Sequence, residues 1–369
     1  MAGVQETCSR IAMQTGRGLA ATIRMRYPRP VLYGCVALLV GANTFNIGAD
    51  LGAMASAARL LAPGPFPAWL AAFAAIECVS IALVPYRRYA SLLRWLCLSL
   101  LTYVAVVIVV PQDWRTVAFH TVVPALPRSR EAWFDIVAVL GTTISPYLFF
   151  WQAALEVEER TGRKGAGARV RRGASRTELR WRRADVGSGM FISNLIMWCV
   201  IVATASTLHH GGGAPVETAE QAAAALKPVA GAAAAWAFAL GILGTGLLAV
   251  PVLAGSTAFA VAETLAIREG LELPPRAAPG FYAVIVIATV GGAALDMTGL
   301  PPMRALVDAA VLNGLAAPPL LYMILRIGGD RRIMHARVSG PLSAWLGWTT
   351  FAGMVLAALA LVVQTVRSR

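Results

Sequence analysis

The feature that most constrains this chain is an uncharged run from Ile136 to Leu155 whose centre is unsuited to a regular helix. The run has 20 residues, and about 20 apolar residues cross a bilayer as a helix. Residues 141–146 read Gly-Thr-Thr-Ile-Ser-Pro, and proline removes a backbone donor and clashes with the preceding turn. Backbone groups freed inside a membrane need partners, so broken helices are buried in protein or line a cavity. The run predicts a discontinuous span, which is typical of secondary-transporter substrate sites.

Eight further apolar runs extend this pattern over the chain. The hydrophobic fraction of 57% and the mean hydropathy of +0.64 are typical of membrane proteins. We therefore predict an all-α integral membrane protein with one transmembrane domain, residues 1–369, and nine full spans after a partial N-terminal helix. The predicted spans are Val31–Ala49, Leu60–Val84, Tyr89–Val110, Ile136–Leu155, Val186–Leu208, Pro228–Ala262, Ala277–Leu295, Ala305–Leu325 and Val338–Val366.

The distribution of positive charge predicts the orientation. With residue 1 and the basic segment 156–185 in the cytoplasm, 23 of the 32 lysines and arginines fall inside and eight outside. This places the C-terminus outside and predicts that residues 1–29 form a partial helix and a cytoplasmic loop. Residues 156–185 are predicted to be a mobile basic loop. Because topology explains the net charge of +13, nucleic acid is not an expected partner.

Enzymatic motifs are missing from the sequence. The four histidines lie in predicted loops outside any HExxH pattern, and the five cysteines lack metal-binding spacing. We predict no enzymatic activity and no resident cofactor. The expected partners are the lipid bilayer and a small solute, without an obligate protein partner.

Polar residues inside predicted spans are the candidate site residues, because burying them in lipid is costly. Thr142 and Ser145 are three residues apart and share a helix face, where their hydroxyls offer hard ligands for Mg²⁺ or Mn²⁺. Equally, these hydroxyls could bond back to the chain at the kink. Asn313 could reach a ligand or bond a neighbouring helix. Asp50 could attract cations, carry protons or pair with an arginine.

Three sequence strings resemble the NRAMP-related family of divalent metal ion transporters. Residues 43–55 are similar to the third helix of that family, residues 142–152 to the sixth and residues 310–315 to the tenth. The resemblance implies a leucine-transporter-type bundle with two inverted five-helix repeats. It also implies a metal site between broken helices one and six. Asn313 matches an amide position of helix ten, and Asp50 matches one of two acidic positions, the other being Ile47.

The resemblance has two departures. Residues 1–24 are similar to the inner part of the second helix, so the resemblance implies that the first helix, with its metal-binding Asp-Pro motif, is absent from this sequence. Either the true start lies upstream of Met1, or the chain is truncated and impaired. Ser145 stands where better-known members have methionine, and Tyr147 stands where they have histidine. A hard hydroxyl in place of a thioether favours Mg²⁺ or Mn²⁺ over soft metals.

The sequence thus predicts an inner-membrane carrier of divalent metal ions of the Mg, Mn and Fe class that works by alternating access. The expected metal ligands are Thr142, Ser145 and Asn313, with Asp50 and Tyr147 on an ion or proton pathway. Two alternatives remain: a truncated, non-transporting membrane remnant, or an amino-acid carrier of the same fold.

Overall fold

All secondary-structure elements in the described part of the chain are helical. The computed structural model describes residues 1–84, 91, 95, 98, 100–123, 129–162, 173–208 and 218–367. The main helices are α1 (Ala2–Thr15), α2 (Leu19–Arg26), α3 (Arg29–Leu61), α4 (Phe66–Leu83), α5 (Leu101–Val109), α6 (Trp114–Val122), α7 (Arg130–Thr143), α8 (Pro146–Gly162), α9 (Arg176–Leu208), α10 (Ala219–Ala224), α11 (Lys227–Ala230), α12 (Ala234–Leu265), α13 (Pro279–Asp296), α14 (Pro302–Gly328), α15 (Arg331–Met334) and α16 (Pro341–Arg367).

Eight spans in the described residues are long and apolar enough to cross a membrane, with α7 and α8 together forming one of them. They correspond to eight of the nine predicted spans. The remaining one, Tyr89–Val110, falls partly outside the described residues, and its described part contains the nine-residue helix α5. The residues before α12 form a separate short helix and a 3-10 turn. The 35-residue apolar run 228–262 is therefore divided between a short outer element and one long helix.

Helix α3 lies at the centre of the bundle and packs against α12, α13 and α14. Its buried side chains include Leu39, Ile47 and Leu51, each fully enclosed. Because α3 is apolar on nearly every face, its burial comes from neighbouring helices on several sides rather than from one stripe. Near the middle of α3, Asn43 is consequently buried, and Asn46 and Asp50 are partly buried.

The prediction that residues 1–29 combine a partial helix with a loop is wrong in its second half. Residues 19–26 form α2, in which Leu19 is 1% exposed and Ile23 is fully buried. Both side chains belong to the apolar cluster that contains Phe149 and Leu320. Burial of these two side chains explains why this short segment is helical although its own sequence is only weakly amphipathic.

The prediction of a continuous basic loop over residues 156–185 is also wrong at both ends. Helix α8 continues to Gly162 and α9 begins at Arg176, whereas residues 163–172 lie outside the described residues. Glu156 is 3% exposed, accepts a hydrogen bond from the Ser9 hydroxyl at 2.8 Å and pairs with Arg182 at 2.9 Å. These contacts hold the ends of α8 and α9 together and keep them helical.

Candidate functional site

The span formed by α7 and α8 is interrupted at Ile144 and Ser145. Helix α7 ends at Thr143, and α8 begins at Pro146. Ile144 has φ −118° and ψ 59°, which lies outside the helical region. Proline at the start of α8 fits its geometry, since the first helical position needs no backbone donor. The interruption leaves the carbonyl groups of the last turn of α7 without their helical partners.

The Ser145 hydroxyl contacts these carbonyl groups. Ser145 is 2% exposed, and its Oγ lies 2.8 Å from the Gly141 carbonyl and 3.1 Å from that of Thr142. Thr142 is exposed, and its hydroxyl donates to the Ala138 carbonyl at 3.0 Å. Both hydroxyls therefore bond back to the chain, as a kinked helix requires. A hydroxyl has one proton and two lone pairs, so each oxygen can still accept a cation.

A close crossing of α7 and α14 brings the interruption beside Asn313. A Cβ atom on Gly141 would lie 1.9 Å from the Ala310 carbonyl oxygen and 2.5 Å from the Gly314 nitrogen. Only glycine permits this approach, because any side chain would strike the backbone of α14. The crossing therefore depends on Gly141.

The side chain of Asn313 is bonded to a neighbouring helix. Its Nδ2 donates to Oδ1 of Asn46 at 3.0 Å, and Nδ2 of Asn46 donates to Oδ1 of Asn313 at 3.1 Å. Asn46 also donates to the Ala42 carbonyl within α3 at 2.7 Å. Each amide oxygen has two lone pairs, so this pairing leaves Oδ1 of Asn313 able to accept again. Asn313 was expected either to reach a ligand or to bond a neighbouring helix, and in the structure it bonds a neighbouring helix.

Asp50 and Tyr147 come together beside the interruption. The Tyr147 side chain lies close enough to the Asp50 carboxylate and to the Ser145 side chain for both to influence its hydroxyl. Asp50 forms no ion pair with any arginine among the described residues. The fold thus places three of the five predicted site residues in one group, and Asn313 reaches the same region through α14.

Two further polar residues, which the sequence did not predict for the site, lie in the same region. Asn43 is fully buried, and its Nδ2 donates to Oγ1 of Thr257 at 2.9 Å, while its Oδ1 is buried without a hydrogen-bond partner in the described part of the chain. Ser256 of α12 donates to the Tyr147 carbonyl at 2.9 Å, in the first turn of α8. The spacing of Asn43 and Asn46, three residues apart in an apolar run, was the available signal for the first.

Clusters of three or more His, Cys, Asp or Glu side chains that could hold a metal are not found within the described ranges. A cation at the interruption would therefore bind mainly hydroxyl, amide and carbonyl oxygens. Mg²⁺, Mn²⁺ and Ca²⁺ accept such oxygen ligands, whereas soft metals prefer thiolate and thioether. The donor set at the interruption is hard.

Comparisons with known proteins agree on one family. The family model described as "natural resistance-associated macrophage protein-like" matches residues 1–364. The chain is 27% identical over 367 residues to the divalent metal cation transporter MntH of Klebsiella pneumoniae subsp. pneumoniae, covering 95% of this chain and 81% of that one.

Solved structures of the Eremococcus coleocola manganese transporter share the fold. Its complex with an aromatic bis-isothiourea substituted compound superposes with a TM-score of 0.71 at 15% identity, over 98% of this chain and 78% of that one. A histidine-to-alanine mutant of the same transporter gives a TM-score of 0.69 at 14% identity, over 98% and 76%. The expected fold, a leucine-transporter-type inverted-repeat helix bundle, is confirmed.

Proposed function

This chain belongs to the natural resistance-associated macrophage protein-like family, a family of divalent metal transporters, and from that premise we propose that it carries hard divalent cations of the Mg, Mn and Fe class. The ion binds where α7 and α8 are interrupted and crosses the bacterial inner membrane by alternating access. The observation that carries the proposal is the interruption itself, where the Ser145 hydroxyl and the Asn313 amide are buried among neighbouring helices. No cofactor is needed, since the metal ion is the cargo.

Ser145 is the central ligand in this proposal. Its Oγ is buried, and the adjoining carbonyls of Gly141 and Thr142 point toward it. A cation at this point would bind the hydroxyl lone pairs and free carbonyl oxygens together, with the Thr142 hydroxyl joining after a rotation of its side chain. Because all of these are oxygen atoms, they favour Mg²⁺ or Mn²⁺ over Cd²⁺.

Asn313 and Asp50 complete the proposed site in different ways. Asn313 has its amide held in place by Asn46, so its Oδ1 can complete or orient the coordination shell without losing that support. Asp50 and Tyr147 lie on the proposed ion or proton pathway, where the carboxylate attracts cations toward the interruption.

Uptake into proteoliposomes tests the proposal. Wild-type protein should take up Mn²⁺ and Mg²⁺ in preference to Cd²⁺, and Ser145→Met should shift the ratio toward Cd²⁺ by about tenfold, since a thioether replaces a hydroxyl. Thr349→Met on the exposed face of α16 is the matched control. Uptake of amino acids without any metal would refute the proposal. An unchanged ion ratio in Ser145→Met would remove Ser145 from the ligand set.

A further inference from the structure

A buried aspartate, Asp296, lies at the end of α13, away from the interruption. Asp296 is 5% exposed, and both of its carboxylate oxygens are buried without a hydrogen-bond partner among the described residues. An ionised carboxylate in this state is strongly unfavourable, because its charge is buried without compensation. Such a group needs either a proton or a cation.

The surroundings of Asp296 make room for its carboxylate but give it no partner. A Cβ atom on Gly52 would lie 2.5 Å from both Asp296 oxygens, so the carboxylate rests against the backbone of α3. Asp296 is also the last residue of α13, where the helix dipole disfavours a negative charge. Within the described residues, the carboxylate therefore forms no hydrogen bond that would stabilise α13 or its contact with α3.

A cavity of about 340 Å³ has Asp296 among its lining residues. Its lining includes Ser56, Arg59 and Asp296, and it lies where α3 and α13 end and α4 and α14 begin. Ser56 is one turn beyond Gly52 on α3. Arg59 is exposed and forms no ion pair within the described ranges. The positive-inside rule assigns this end of the bundle to the outside.

We infer that Asp296 and Ser56 form an outer binding site for a hard divalent cation, at the mouth of the protein and separate from the interruption. The carboxylate supplies the charge, the Ser56 hydroxyl supplies a second oxygen, and water fills the remaining positions, as is usual for Mg²⁺ and Mn²⁺. A carboxylate in a low-dielectric cleft raises the local concentration of cations at the entrance. The inference rests on the proposed function only for the identity of the ion.

Binding of Mn²⁺ to the full chain in detergent tests this site, with free Mn²⁺ counted by its electron paramagnetic resonance signal at constant ionic strength. Asp296→Asn should abolish one bound Mn²⁺ or weaken it at least about tenfold, which corresponds to about 1.4 kcal/mol. Asp308→Asn is the matched control, because Asp308 is a neighbouring acid that faces Arg304 at 4.0 Å. Ser56→Val should weaken binding while leaving the carboxylate in place.

Two further variants separate the possible explanations. Gly52→Ala should weaken Mn²⁺ binding by displacing the carboxylate, and Arg59→Gln should strengthen it by removing a positive charge. Equal binding in wild type and Asp296→Asn would show that Asp296 holds no Mn²⁺, and would overturn the inference. Weaker binding in Arg59→Gln would do the same.

Ser145→Ala distinguishes this site from the one at the interruption. If Ser145→Ala alone abolishes the bound Mn²⁺, the ion belongs to the interruption, so the outer site fails and the proposed function stands. If Asp296-dependent binding persists in a protein that transports no metal, the proposed function fails and the outer site stands.

Discussion

Asn46 and Asn313 exchange two amide hydrogen bonds, at 3.1 and 3.0 Å, across the contact between α3 and α14. The two residues are separated by 267 positions in the chain. Their reciprocal pairing satisfies one donor and one acceptor on each side chain. The pairing fixes how α3 and α14 are rotated about their own axes, next to the interruption between α7 and α8.

Removing both asparagines of this pair should destabilise the protein by less than the sum of the two single removals. Asn46→Leu or Asn313→Leu leaves the other amide without its partner, at a cost of about 1–3 kcal/mol. The double variant should cost less than the sum of the two single variants by roughly 1 kcal/mol. Unfolding in detergent measures these differences. Asn194→Leu is the control, since Asn194 is exposed and, among the described residues, bonds only to the Met190 carbonyl of its own helix.

The crossing of α7 and α14 should tolerate no side chain at position 141. Gly141→Ala places a Cβ atom against the Ala310 carbonyl and the Gly314 nitrogen. We expect a loss of about 1–3 kcal/mol in the free energy of unfolding, as for other overpacked sites. Gly34→Ala should instead increase the free energy of unfolding, because open space surrounds Gly34 and alanine favours a helix. Equal effects of the two substitutions on the melting temperature would contradict the close crossing.

Charges at the predicted cytoplasmic end should differ greatly in their contribution to stability. Glu6 is 5% exposed and accepts hydrogen bonds from Arg10, Arg183 and Ser343. Glu6→Gln leaves the buried Arg10 without a counter-charge and should cost roughly 3–5 kcal/mol. Arg183→Gln should cost only about 0–1 kcal/mol, since the Arg183 side chain is 63% exposed.

Denaturant unfolding at neutral pH compares these two variants. If Arg183→Gln lowered the free energy of unfolding by much more than Glu6→Gln, the Glu6–Arg10 pair would not be the buried pair that stabilises this end. High salt should reduce the loss in the free energy of unfolding caused by Arg183→Gln. It should leave the loss caused by Glu6→Gln nearly unchanged, because buried pairs are screened less.

Stability should fall as pH rises because of Glu269, in the connection between α12 and α13. Burial, with the carboxylates of Glu263 and Glu158, raises the pKa of Glu269 from 4.5 to about 9, although Arg24 acts to lower it. The unfolded chain releases this proton near pH 4.5, whereas the folded protein retains it to higher pH. Stability from this group is therefore complete below pH 4.5 and decreases up to about pH 9.

Glu269→Gln should remove this pH dependence, because glutamine stays neutral throughout. Melting temperatures between pH 5 and 9 should fall less steeply in the variant than in the wild type. Glu272→Gln, at an exposed position in the same connection, should keep the wild-type slope. Parallel curves for wild type and Glu269→Gln would contradict the raised pKa.

Local patterns in the sequence determined the spans and the place of the unusual helix. Long uncharged runs predict helices because the bilayer sets their length, and eight such spans appear in the described residues. The motif resemblance determined the fold class, which the solved relatives confirm. The roles of Thr142, Ser145, Asn313, Asp50 and Tyr147 as ion-site residues stay predictions.

Only the tertiary structure decided which polar groups meet. Leu19 and Ile23 of α2 are buried in the apolar core, and Glu6 and Arg10 form a buried ion pair. The Asp296 carboxylate lies against Gly52 of α3. Helix periodicity and hydropathy are properties of about 20 neighbouring residues. They therefore do not predict which residue, hundreds of positions away in the chain, will be the partner of a given polar group. Packing resolves that choice, because a buried amide or carboxylate must find its partner on another helix or remain unpaired.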